Sequence, residues 1–201
     1  MSTEPPAPTV TKLQETELPV LLARLDLPEQ AAAVAGGSNS VADLLAVLEA
    51  GGFQLEAARV FAYALPKREA VWWACMCARH TAPAELPAAD EAARETAELW
   101  VRRQTDEARR TAMDNAQQSG FRSPEAWAAV AAFLSGDSLS PPDQPKVPPA
   151  SHLTGTAVAG AVHLASVRDD PARQQTRLSA FLNSAREIAA GGAGRLEREN
   201  P

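Results

Sequence analysis

Cysteine is almost missing from this chain of 201 residues: there are two, Cys75 and Cys77. On a helix they stand about 200° apart, so they cannot join in a disulfide with each other. No secreted disulfide framework can be built from them, and a reducing compartment fits. Aromatic residues are scarce at 5%, and Ile188 is the only isoleucine. Val and Thr are also sparse, which argues against sheet. No apolar run reaches the ~18–20 residues needed to cross a bilayer. The nearest, Gly155 to Val167, is too short and contains His163. Met1 to Val10 has neither a basic start nor an apolar core, so no signal peptide is read there, and a cytoplasmic location is expected. Lys and Arg form no stripe and the net charge is −6, which speaks against a nucleic-acid partner.

What is present favours helix. Alanine makes up about a fifth of the residues; it is the best helix former and lets helices approach closely. The most informative stretch is residues 65–79. It opens with Leu65-Pro66-Lys67-Arg68-Glu69, a helix start, and then runs apolar from Ala70 to Ala78 without a polar break. A surface helix carries an apolar stripe, whereas this one is apolar all round. Trp72 and Trp73 point about 100° apart, so burying both requires neighbours on more than one side. The segment is therefore read as the central helix of an all-α bundle or irregular helical-hairpin array, with both indoles enclosed.

Around it the punctuation is regular. Short helices are expected over 18–27 and 29–35, and Ser40 caps a helix over 41–50, which Gly51-Gly52 ends. A helix over 53–65 follows, then the tryptophan helix over 67–80. Nothing breaks helix from Ala88 to Ser119, a rod of about 48 Å that either projects beyond the core or kinks near Gln104-Thr105. Arg102, Arg103, Arg109 and Arg110, interleaved with Asp106 and Glu107, read as a solvated face with i,i+4 pairs. Ser123-Pro124-Glu125 starts a further helix to Leu134, and two more are expected over 151–168 and 171–190. The organisation read from this is a disordered tail over 1–17, a helical domain over 18–135, a Pro-rich linker or surface loop over 136–150, a helical hairpin over 151–190 packing on the same domain, and a frayed tail over 191–201.

No catalytic constellation stands out. Cys77 and His80, at i,i+3, are half of a zinc site with no second pair, so no metal and no cofactor is expected. Burial in the apolar helix raises a thiol's pKa and makes it inert. His152 and His163 share a helix face but lie about 16 Å apart, too far for one ion. No glycine-rich phosphate loop is present. Four residues are candidates for interaction: Arg68 and Glu69 as a recognition edge, against a reading as capping plus an ion pair, and the isolated Trp100 and Trp127 as interface anchors, against a reading as core pins.

The run Leu65-Pro66-Lys67-Arg68-Glu69-Ala70-Val71-Trp72-Trp73-Ala74-Cys75 resembles a motif of an uncharacterised family of bacterial helical proteins, accessory to type VI secretion gene clusters. The resemblance rests mainly on residues 41–80. It implies a bacterial secretion context and carries over no catalytic residue. The resulting expectation is a soluble, non-enzymatic adaptor that binds a protein partner, such as a secretion component or effector, with no nucleic acid and no membrane insertion. Homo-oligomerisation stays open. The alternatives are an enzyme whose site is assembled from dispersed residues (Arg68, Glu69, His152, His163) and a self-assembling structural protein.

Overall fold

A computed structural model describes residues 12–14 and 17–199. The described residues form ten α-helices and no strand. They are α1 (Leu18–Leu25), α2 (Glu29–Ala35), α3 (Val41–Ala50), α4 (Gln54–Ala64), α5 (Lys67–His80), α6 (Ala88–Arg103), α7 (Asp106–Gln118), α8 (Pro124–Leu134), α9 (Leu153–Val167) and α10 (Gln174–Ala189), the last preceded by a 3₁₀ turn at Pro171–Arg173. The fold is all-α, as the composition predicts.

The tryptophan helix α5 runs through the middle and touches α4, α6, α8, α9 and α10. Its residues 70, 71 and 73–78 are all buried. Trp73 has no exposed surface; its ring meets Phe61 at 6.2 Å between centroids, and its Nε1 donates to the Phe181 carbonyl at 2.9 Å. Alanines let the remaining helices approach α5 and one another closely, and Ala126, Ala128, Ala129, Ala131 and Ala132 of α8 are fully buried. The two indoles do not share one fate. Trp72 is only half buried and faces outward, so the expectation that both are enclosed holds for Trp73 alone.

Of the two courses expected for the 88–119 segment, the break near Gln104-Thr105 is the one taken: Gln104 adopts a left-handed conformation (φ 52°, ψ 32°), Thr105 caps Ala108 N at 3.2 Å, and α7 folds back along α6, so that Asn115 reaches Thr96 at 3.3 Å. The thin alanine face is thereby buried within a hairpin. Arg109 is not on a solvated face: it is 2% exposed and donates to the Ser138 carbonyl at 2.7 Å, with its guanidinium over the Phe133 ring. Arg110 donates to the Ser140 carbonyl at 2.7 Å, so the start of the Pro-rich 136–150 stretch is held against α7.

The segment 191–199 does not fray. It is a strap across the molecule, pinned by Ser184 to the Gly194 carbonyl and by Glu199 N to the His80 carbonyl at 2.8 Å. Gly194 sits at φ +55°, and a Cβ there would lie 2.4 Å from Ile188, so the strap hugs α10 where only glycine fits. The tail expected over 1–17 lies largely outside the described residues. Of it, Lys12 N donates to the Ala189 carbonyl at 2.9 Å and Gln14 N to the Ala64 carbonyl at 2.8 Å.

Candidate functional site

A groove of about 1080 Å³ lies between the outer flank of α5, the 81–87 loop, α6 and the strap. Three sequence features make it. Trp72, Met76 and Arg79 lie on one flank of α5, spaced by four and three residues. Proline at 83 and 87 holds the connection to α6 open, which brings Pro83 and Leu86 to the rim. On α6, Glu91, Arg94, Glu98 and Arg102 recur every three or four residues and so form one stripe along the wall. The stripe is internally paired: Arg94 sits 2.5 Å from Glu98 and 3.8 Å from Glu91, and Arg102 lies 3.7 Å from the other oxygen of Glu98.

The strap closes the fourth side with Arg195, Leu196, Glu197 and Arg198. Trp72 Nε1 donates to the Ala193 carbonyl at 2.7 Å, and Arg198 Nε to the Ala82 carbonyl at 2.8 Å. His80 Nδ1 meets the Glu197 carbonyl. Glu199 anchors the end: Arg177, itself 4% exposed, pairs with it at 2.5 Å, and Arg173 stands 3.4 Å away. Burial pushes the Glu199 carboxyl up, but the Arg177 hydrogen bond and the nearby positive charges of Arg177, Arg173 and His80 outweigh it and hold the group below its ordinary value of 4.5.

The groove's walls carry five arginines against four glutamates. Arg79 and Arg195 have no ion-pair partner among the described residues, and neither have Glu85 and Glu197, so the groove carries an excess of one positive charge although the chain as a whole is acidic. A smaller recess of about 270 Å³ adjoins it across Trp72 and Arg102, lined also by Lys12, Arg68, Glu69 and Val101.

The candidate interaction residues are therefore scattered. Arg68 and Glu69 do come together beside Trp72. There Arg68 Nε donates to the Val101 carbonyl at 2.8 Å and Glu69 pairs with Lys12 at 3.4 Å. Trp100 is 5% exposed and belongs to the core, so it offers no interface. Trp127 is half buried on α8, its Nε1 bound to the Phe121 carbonyl at 3.0 Å, away from the groove. The α6 stripe is legible in the sequence as helical spacing of opposite charges. The strap carries no periodicity by which sequence reasoning finds it.

The dispersed residues considered for catalysis do not converge. His163 is exposed on α9, and His152 borders a separate cavity that lacks both Arg68 and Glu69. Cys75 and Cys77 are fully buried, and burial raises both thiols well above their ordinary range. Among the described residues no three His, Cys, Asp or Glu side chains are grouped to hold a metal ion, and no helix is long and apolar enough to cross a membrane.

Residues 44–189 match the model of a family described as a family of unknown function (DUF6931). The match takes in both walls of the groove but leaves out α1, α2 and the strap. No curated protein and no solved structure matches the chain.

Proposed function

We propose that this chain, which belongs to the family of unknown function matched over residues 44–189, is a non-enzymatic protein-interaction module whose docking surface is the α5–α6 groove with its strap. The observation that carries this reading is the make-up of the groove. It joins the half-exposed Trp72 to the exposed, unpaired Arg79 and Arg195, and tryptophan and arginine are the residue types that dominate the energetics of protein interfaces. The occupant is a protein segment that lays an apolar side chain against Trp72 and Leu196 and offers a carboxylate to Arg79 or Arg195. The motif at residues 65–75 adds the context: an accessory or adaptor protein of a bacterial type VI secretion system, its partner a secretion component or an effector.

The test is titration of the full chain with the purified products of neighbouring genes, read by Trp72 emission and calorimetry. A partner should shift the emission to the blue and bind with Kd of about 10 µM or tighter. The double variant Arg79→Glu, Arg195→Glu should weaken it at least roughly tenfold while circular dichroism stays unchanged. Binding that ignores this charge reversal removes the groove from the reading. No binding by any of those gene products removes the adaptor.

A further inference from the structure

We propose a second site, independent of the groove: the cavity where α5 and α9 begin binds an oxyanion of phosphate size. It is lined by Arg24 from α1, Lys67 from the first turn of α5 and His152 at the head of α9, with Gln14, Tyr63 and Ser151 between them. No Asp or Glu is among its described lining residues.

The chain carries 25 acidic residues against 19 basic ones, and several of its buried or half-buried arginines meet carboxylates. Arg94 pairs with Glu98, Arg110 with Asp106, Arg168 with Glu125 and Arg177 with Glu199. By contrast, the side chains of Arg24, Lys67 and His152 have neither ion pair nor hydrogen bond among the described residues. Basic groups gathered around one small cavity raise its potential, and an anion entering it offsets their mutual repulsion. Both helices begin without a side-chain cap, so their first-turn N–H groups add partial positive charge to what Arg24 and Lys67 already supply.

The walls fix the size. A Cβ at Gly155 would lie 2.4 Å from the Tyr63 ring, so only glycine lets α9 start so close to α4. Tyr63 is held there by its hydroxyl, 3.1 Å from that of Thr156. The cavity measures about 190 Å³. This is less than the ~300 Å³ at which pockets enclose whole drug-sized molecules. The ligand is therefore a free oxyanion or the phosphate end of a larger molecule. Arg24 would grip it with its planar fork and Lys67 with a point charge.

The experiment is a titration of the full chain at constant ionic strength with inorganic phosphate and, separately, with glycerol phosphate. It is read by calorimetry and by amide shifts of Thr154, Gly155 and Lys67. Saturable binding is expected. Arg24→Gln and Lys67→Gln should each weaken it by roughly tenfold or more, since a charge-assisted hydrogen bond is lost. Arg103→Gln, an exposed cation elsewhere, should leave it unchanged. Far-ultraviolet dichroism and tryptophan emission confirm that each variant is folded. Tighter binding of glycerol phosphate than of phosphate assigns the site to a phosphate monoester, and the reverse order to the free ion. The proposal is overturned by no saturation up to about 20 mM of either probe or by equal loss in Arg103→Gln.

Discussion

Glu125 shows how far a single residue can depart from what its type suggests. It sits in the first turn of α8, where a carboxylate suits the helix dipole, yet its side chain has no exposed surface. Its partner Arg168 donates to it from the far end of α9, at 3.0 Å through Nη1, and also reaches the Ala78 carbonyl at 3.4 Å. Removing one partner of a buried pair strands the other charge. Glu125→Ala is therefore expected to cost about 3–5 kcal/mol in urea unfolding. A loss under about 1 kcal/mol would mean that water reaches Arg168 readily. The tandem tryptophans make the same point. Their 100° separation was legible, but the apolar run predicts both rings enclosed, and only Trp73 is. That Trp72 turns outward was not legible, because it depends on which neighbours arrive on each side. Trp73→Ala should cost about 3–5 kcal/mol, as large core truncations do. Trp72→Phe loses one hydrogen bond and should cost about 1 kcal/mol. Equal costs for the two changes would contradict the placement of Trp72 on the groove wall.

Individual elements depend on their ends. The α6–α7 hairpin turns on Gln104, a non-glycine residue at positive φ. Gln104→Gly should stabilise the protein by about 0.5–1 kcal/mol and Gln104→Val should destabilise it by at least as much, because a β-branched side chain tolerates this region least. Destabilisation by the glycine variant, measured by thermal melting, would contradict a strained turn. The strap depends on Glu199. Its folded pKa is depressed, so the stability it contributes is fully present above the unfolded value near 4.5 and is lost as pH falls through the lower folded value. Acidification below about pH 4.5 should thus release the strap before the body unfolds, and Trp72 should become more accessible to acrylamide in that window. Glu199→Gln should cost about 1–2 kcal/mol at neutral pH and abolish that pH-dependent step. Quenching that follows the same acid profile in wild type and variant would remove Glu199 as the latch. Its role was not legible from the glycine-rich, charged 191–199 segment, because its partners Arg177 and His80 lie 22 and 119 residues away, the latter met through its backbone carbonyl.

For the whole molecule, α5 is the shared wall between α4, α6, α8, α9 and α10, so those helices should unfold together. The N-terminal pair is attached differently: α1 packs on α4 and α2 on α3, and both are short. Hydrogen exchange should therefore find the amides of α1 and α2 opening locally, with protection at least roughly 100-fold below that of α5. Uniform protection from α1 to α10 would show that the N-terminal helices are part of the same cooperative unit.

Local chemistry in the sequence determined the helices and most of their limits. Proline and serine start them, glycine ends many of them, and alanine supplies faces that pack closely. These signals act within a turn or two of chain, so one sequence suffices to read them. It also determined that α5 lies inside, since a helix apolar all round has no side to give to water. Only the tertiary structure decided that the long 88–119 segment folds on itself, that Arg109 goes inward, and that the C-terminal segment returns across the molecule to make the fourth wall of the groove. Each of these choices is a contact between residues distant in sequence, and its free energy exists only once both partners are in place.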